Sequence, residues 1–480
     1  MLREQQPAKQ KPRAMPGVFA YSDDVRSHHH ARPLAQVGSY QPLRILINWQ
    51  GMLYMSSLIV LYLYTRFSSV STLFLVSRFM KILLPNPTIH VRCLFDSMKS
   101  KGCQVDFLVP TYREVPDELG SVPGSKQFRA LNERHYLELL DNACQENYDY
   151  IFPNYFDDHV LDIASMNERY NMPGISKNAA LVLSSKRSYY EKFGELGISF
   201  PEPFALIPAD ETNIEVDNIT YPCIVKPTDG TGSSGVRIIN NEKELRLFFA
   251  KPQLAIHYGI VGRKPRSDYL IQEYIDGTIL CPMGHVRNGS VKVDFCQEII
   301  NDAGPFFPEK MLAMPAPMSD MMHAIEADLE MFCESIGLDD TAWRCEVVIR
   351  DGKYYFIDFG ARIGGLNNQM LLEHAGESDY AWKLIDSIFN HRDHALSIDR
   401  FAVFKELDLN PGKIKEISCS KPELAGFLHL PKTEVFSSKV DTDIFKNGFA
   451  ILTGPSMMSC QEKYQQLSES LSVIYEQAPR

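Results

Sequence analysis

What the chain lacks narrows its class first. Its ten cysteines form no CxxC pair and no metal-finger spacing, and several (Cys223, Cys296, Cys345) fall in apolar, strand-like runs. That excludes a zinc module and reads as reduced, buried thiols in an intracellular, cytoplasmic protein. There is no basic excess either. The formal net charge is −11, which argues against a nucleic-acid partner, because a phosphate backbone requires a basic field. The first apolar run begins too far from the N-terminus for a cleaved signal peptide. The glycine-rich turn after Lys226 has no Gly-Lys-Ser/Thr ending and opens no helix, so neither a Walker loop nor a dinucleotide fingerprint fits. What remains is ordinary for a folded enzyme: 45% hydrophobic and 23% charged residues. At 480 residues the chain is too long for one core and suits three compact parts.

Residues 1–79 read as an N-terminal extension. The first 44 or so are polar, carry the run His28-His29-His30 and look disordered. Residues 45–65 then contain no charge, and a second apolar stretch follows Arg66 as far as residue 77. This length suits a bilayer crossing, so 45–77 is either a membrane anchor or shallow hairpin, or a packed addition to the enzyme. A third option is a dispensable extension upstream of an effective start at Met80.

From Lys81 the pattern is α/β. Strands are expected at 82–84, 104–110 and 148–153, with helices near 90–101 and 134–147 and another reaching Tyr170. Such βαβ units imply a parallel sheet covered on both faces, here a domain over 80–180. Ligands bind at the carboxyl ends of such strands, where Asn154, Asp157 and Asp158 follow one strand and offer polar groups to a substrate amine or to water. A second part spans 181–395. A third, 396–480, reads as short strands and turns closed by an amphipathic helix over 461–477.

The chemistry concentrates in the second part. Tyr221-Pro222-Cys223-Ile224-Val225-Lys226 reads as a buried strand ending in a lysine. Gly230, Gly232 and Gly235 let backbone N–H groups approach an anion, and Ser233 and Ser234 add hydroxyl donors. A strand resumes at Val236, so the loop is a hairpin lid, or else an ordinary Gly/Ser hairpin. Further on, residues 342–350 alternate as a strand, Asp351-Gly352 is a type I′ turn signal, and 353–358 return. Arg344, Glu346 and Val348 share one face, and the hairpin brings Glu346 near Asp358. Two such carboxylates repel unless a hard cation separates them, and magnesium takes carboxylate and phosphate oxygens. The bland alternative is a surface hairpin with two solvated acids. Arg362 offers a planar fork for a carboxylate or acyl phosphate.

These pieces, in this order, resemble the ATP-grasp superfamily over roughly residues 80–395. The match rests on Ser184-Ser185-Lys186-Arg187 opening a helix, Gly197-Ile198-Ser199-Phe200-Pro201, Val225-Lys226-Pro227 with its glycine lid, Leu270-Ile271-Gln272-Glu273-Tyr274-Ile275-Asp276-Gly277, and the Glu346/Asp358/Arg362 hairpin. The resemblance implies an ATP-grasp fold, with an N-terminal parallel α/β domain and a small C-terminal domain that closes over the site. It implies that Lys186 and Lys226 contact nucleotide phosphates, and that Gln272, Glu273, Tyr274 and Ile275 form the hinge at the adenine, with the acid reaching the ribose. It also implies that Glu346 and Asp358 hold magnesium, for which manganese substitutes. Many members carry Glu-x-Asn-Pro-Arg where this chain has Asp358-Phe359-Gly360-Ala361-Arg362, so a usual metal-ligand asparagine is Gly360. Thr278-Ile279 stands where some members place another ribose acid. The Gly-Ala-Arg variant is similar to the branch that ligates L-amino acids, in which the arginine helps hold the reacting carboxylate. By the same resemblance, His285 and the Met314-Pro315-Ala316-Pro317 stretch line the substrate pocket, while Lys446 either reaches a substrate or, the blander reading, is a solvated lysine.

The function this implies is an ATP-dependent carboxylate–amine ligase acting on small-molecule carboxylate and amine substrates through an acyl phosphate. An amino acid is the expected carboxylate donor, and the product a dipeptide or amide in specialised metabolism. The alternatives are another ATP-grasp reaction (carboxylation or nucleotide-pathway ligation), a catalytically degenerate ATP-binding module, and a membrane-tethered structural protein resting only on 45–77. A homo-oligomer is compatible with all of them.

Overall fold

The computed structural model describes residues 80–87, 91–111, 124–155, 157–208, 211, 214, 218–229, 235–250, 268–301, 309–315, 321–431, 434–435 and 448–476. The chain divides into Met1–Arg78 and Phe79–Arg480. The histidine run, the 45–77 segment and Lys446 lie outside the described residues, as do Ala316 and Pro317. Among the described residues no helix is long and apolar enough to cross a membrane.

The chain from Lys81 builds the expected parallel sheet. Strands β1 (Lys81–Pro85), β2 (Gln104–Pro110), β3 (Gln127–Ala130) and β4 (Tyr150–Ile151) stand in the order β3-β2-β1-β4, and every neighbouring pair is parallel. β1 and β2 bury Ile82, Leu83 and Leu84 and Phe107, Leu108 and Val109 on both faces, as a sheet covered on both sides requires. The connecting helices are α1 (Val91–Ser100) and α2 (Glu133–Cys144), and a 3₁₀ turn, Asp157–His159, runs into α3 (Val160–Tyr170). Asn132 caps α2 by accepting from the His135 N–H at 3.0 Å. Two details differ from the sequence reading. The strand expected over 148–153 pairs only at Tyr150 and Ile151. β3, the edge strand Gln-Phe-Arg-Ala, has too little apolar pattern to show in sequence.

Helices α4 (Lys177–Leu183) and α5 (Lys186–Leu196) lead into a four-stranded antiparallel sheet, β5-β8-β6-β7. Its strands are β5 (Pro203–Ile207), β6 (Cys223–Pro227), β7 (Arg237–Ile239) and β8 (Tyr269–Glu273), with α6 (Glu242–Ala250) between β7 and β8.

The largest sheet has eight strands, drawn from β9 (Thr278–Arg287), β10 (Ser290–Asn301), β11 (Glu309–Met314), β12 (Thr341–Arg350), β13 (Lys353–Gly360) and the C-terminal region. Helix α7 (Met321–Ile336) buries Met322, Ile325, Leu329, Phe332 and Ile336, a single stripe at helical spacing. The β12–β13 turn has φ of 52° at Asp351 and 71° at Gly352, the left-handed pair that a type I′ hairpin requires. Helices α8 (Leu366–His374) and α9 (Tyr380–Asn390) follow.

In the segment beyond 396, β14 (Phe401–Glu406), β16 (Phe427–His429) and β18 (Phe449–Gly454) extend that same sheet in the order β13-β12-β9-β10-β11-β14-β18-β16. Only β15 (Gly412–Cys419), β17 (Glu434–Val435) and β19 (Leu471–Tyr475) make a sheet of their own. The expected helix over 461–477 is instead α10 (Met457–Glu469), and residues 471–475 pair antiparallel with β15. Leu-Ser-Val-Ile-Tyr is β-branched and alternates, so strand pairing prevails over continuing the helix.

One aromatic cluster positions the site. The Phe193 ring on α5 lies 4.6 Å from Phe332 on α7 and 5.3 Å from Phe356 on β13, and Tyr190 stacks on Phe200 at 5.0 Å. These contacts clamp α5 against β13, which sets the first turn of α5 beside Asp358.

Candidate functional site

The hairpin β12–β13 brings its two acids together: Glu346 and Asp358 are direct register partners. Their carboxylates do not stand unaided. Arg344, two residues before Glu346 on the same face, donates through Nη2 to Glu346 Oε1 at 2.6 Å and to Asp358 Oδ2 at 3.1 Å. Sequence reasoning put a hard cation in that gap and did not foresee the guanidinium. Asp358 Oδ1 accepts from Lys186 Nζ at 2.7 Å and from the Tyr189 hydroxyl at 3.0 Å. Burial alone would raise the Asp358 pKa. Lys186 and Arg344 outweigh it and hold the carboxyl below its usual range.

A register shift follows Glu346: the next pair is Val347 with Phe356, so Ile357 is an extra residue on β13. Such a bulge takes a carbonyl out of the ladder. Ile357 O accepts from Lys226 Nζ at 3.0 Å and from the Tyr190 hydroxyl at 2.8 Å, and Lys226 Nζ also donates to the Tyr190 oxygen at 2.8 Å. Burial, then the neighbouring Lys186, bring the Lys226 pKa down to about 7 despite the opposing pull of Asp358 and Glu346. Burial pushes the Tyr189 and Tyr190 phenols far up, and Asp358 adds to it, so both remain O–H donors.

The Lys226 shift predicts a stability profile. An unfolded lysine titrates near 10.4. Between about 7 and that value the unfolded chain holds a proton that the folded one has released, so stability rises with pH there. The burial cost is full below pH 7 and fades above it. Thermal melts of Lys226→Met should therefore exceed wild type most below pH 7, and the two curves should converge toward about pH 10.

The two basic segments are tied directly, since the Lys186 N–H donates to Thr228 O at 2.7 Å. Gly235 has φ of 77°, a conformation that favours glycine. Gly230, Gly232, Ser233 and Ser234 lie outside the described residues. On β8, Gln272 is buried with Oε1 unpartnered. Glu273 accepts from Arg350 Nη2 at 3.3 Å, the Tyr274 hydroxyl donates to Asp276 at 3.4 Å, and Ile275 is buried.

Arg362 turns toward the first sheet. Its Nε and Nη2 donate to the two oxygens of Asp157, each at 2.8 Å, and Nη1 donates to Ile363 O at 3.1 Å. Asp157 thus holds the fork of Arg362, which corrects the expectation that it meets substrate amine or water. Asn154 donates to the carbonyls of Pro85 and Asn86 and closes the end of β1. The glycine at 360 acquires a reason: a Cβ there would lie 3.2 Å from Asp157 Oδ1, so an asparagine would crowd the Asp157–Arg362 pair. His285 is buried, with Nδ1 at 3.0 Å from Asp294 Oδ2, which also accepts from the Tyr380 hydroxyl. All ten cysteines are free thiols. Among the described residues no group of three or more His, Cys, Asp or Glu side chains forms a metal cage. The hard oxygens of Glu346 and Asp358 fit magnesium completed by phosphate oxygens and water.

The comparisons bear on what such an arrangement does. A family model described as an ATP-grasp domain matches residues 219–369. Among curated proteins, the chain is 22% identical over 195 residues to the carbamoyl phosphate synthase large chain of Campylobacter jejuni, covering 39% of this chain and 17% of that one. It is 21% identical over 194 residues to the D-alanine–D-alanine ligase A of Bacillus cereus, covering 40% of this chain and 62% of that one. The chain therefore spans less than two thirds of either relative. Among solved structures, an L-amino acid ligase from Bacillus licheniformis superposes with a TM-score of 0.68 at 18% identity, covering 83% of this chain and all of the other.

Proposed function

We propose that this chain, in which residues 219–369 match an ATP-grasp domain, is an ATP-dependent, ADP-forming carboxylate–amine ligase with an amino acid as carboxylate donor. One observation carries this reading: Lys186 and Arg344 hydrogen-bond the Glu346–Asp358 pair directly, and Lys226 is held beside them on the carbonyl of Ile357, the residue before Asp358. In the proposed reaction a substrate carboxylate attacks the γ-phosphate, giving an acyl phosphate and ADP. An amine then attacks the acyl carbon and expels phosphate. The protein contributes position and charge rather than covalent chemistry. Lys186 and Lys226 neutralise phosphate oxygens, and Arg362 orients the carboxylate. Gln272, Glu273, Tyr274 and Ile275 flank the base and ribose, and the 230–235 loop excludes water. Glu346 and Asp358 would hold magnesium in competition with Arg344, and the ion when bound neutralises phosphate charge. An enzyme drawing on cellular ATP with ten free thiols belongs in the cytoplasm.

The test is ADP and phosphate release by the full-length chain from ATP and Mg²⁺, with amino acids supplied singly and in pairs. Release should rise with a particular pair and yield an amide product of the summed mass less water. A second reading, an ATP-binding module without turnover, is favoured by Arg344 standing between the two acids. Tight nucleotide binding with no stimulated release across the panel would decide for it.

A further inference from the structure

One row of side chains crosses the eight-stranded sheet through the site. Asp358 on β13 pairs with Glu346 on β12. The β12–β9 register, fixed by Arg344↔Met283 and Val347↔Leu280, carries Glu346 opposite Cys281. Cys281 in turn pairs with Gln297 on β10. Cross-strand partners project to the same face, so Gln297 faces the side on which the carboxylates lie. It is two strands from Glu346, roughly 10 Å between Cα atoms. A phosphoryl group and an amino acid lying end to end fill such a span.

Gln297 is fully buried, yet neither Nε2 nor Oε1 has a hydrogen-bond partner. Its neighbours on that face, Phe295, Ile299 and Cys281, are apolar members of one core cluster. A primary amide held there unbonded is costly, and Leu or Met would fill the place without that cost. The fold itself gives the group nothing to do.

We propose that Gln297 is a specificity-determining residue, its carboxamide pairing with a side-chain carboxamide on the amino acid substrate through one N–H···O bond in each direction. A carboxylate there would accept but leave Gln297 Oε1 unsatisfied. An ammonium group would donate but leave Nε2 unsatisfied, and a hydrocarbon would leave both. Phe295 and Ile299 suit the methylene stem of a glutamine-like side chain. The proposal rests on the ligase reading of the site.

The test compares glutamine with methionine, similar in length but without the amide. The full-length protein and Gln297→Leu are assayed by ADP release, by calorimetric binding in the presence of MgADP, and by thermal melting. Wild type should prefer glutamine by about 10²-fold or more, because a site built to hydrogen-bond rejects analogues that cannot. In Gln297→Leu the preference should vanish or reverse, with a melting temperature equal to or above wild type. An unchanged glutamine-to-methionine ratio overturns the proposal. So does a variant that loses stability and weakens both amino acids equally, which would make Gln297 structural. If no amino acid stimulates ADP release in wild type, the ligase reading fails separately. The binding comparison then still decides, since glutamine bound by wild type and not by the variant supports the role of Gln297, and no glutamine binding removes it.

Discussion

Asp358→Asn is expected to lower amino-acid-dependent ADP formation by about 10²-fold or more. The aspartate accepts from Lys186, Tyr189 and Arg344 at once, so it is the anion that sets the positions of both cations. Asparagine keeps the volume but turns an N–H toward one of them. Lys186 and Arg344 are then left with Glu346 as the remaining acid of the pair. A fully buried pair broken on one side costs about 3–5 kcal/mol. The Asp358 side chain is 25% exposed, so screening reduces the expected loss to about 1–3 kcal/mol. Denaturant unfolding measures that loss, and a magnesium titration of ADP release should show a raised requirement for the ion. The pH sign follows from the depressed carboxyl pKa. Its stabilisation is complete above the unfolded value near 3.9 and is lost as pH falls through the lower folded value. The asparagine variant should lack that acid-limb dependence. Activity within tenfold of wild type would remove Asp358 from the proposed metal site.

The hairpin carrying this residue was legible in the sequence because period-two alternation and an Asp-Gly turn together fix register. Those two facts alone would pair Glu346 with Ile357, and only a bulge at Ile357 moves Asp358 opposite Glu346. That bulge is not legible, since an extra residue leaves no mark on an apolar strand, and with it went any sight of the carbonyl that Lys226 and Tyr190 share. Arg344 was placed on the correct face. Its side chain between the acids depends on reach and on three competing charges, which pattern reading does not weigh. Asp157 and Arg362 lie 205 residues apart, and nothing local to either predicts that the end of one sheet's last strand meets the exit of another's hairpin. The final helix failed for a different reason. Over a short window Leu-Ser-Val-Ile-Tyr fits a helical stripe and a strand alike, and only β15 decides between them.

Arg362→Lys should reduce kcat/KM for the carboxylate substrate by about 10²–10³-fold and leave nucleotide affinity unchanged. Lysine keeps the charge but loses the planar fork, and the fork is what the structure engages. Asp157 takes the side edge of the guanidinium through Nε and Nη2. Each Nη carries two N–H bonds, so with one Nη2 N–H on Asp157 and one Nη1 N–H on Ile363 O, one N–H on each nitrogen is left for a second carboxylate. On this geometry Asp157 aims the arginine rather than blocking it. Asp157→Asn should therefore cost less, roughly tenfold, because an amide still accepts one of the two bonds. The two residues act as a unit, so the double variant should be no worse than Arg362→Lys alone. Steady-state kinetics on the four proteins of this cycle checks the coupling. Were Asp157 a plug in the carboxylate site, Asp157→Asn would instead lower KM and raise kcat/KM, and the orienting role assigned to it would be wrong.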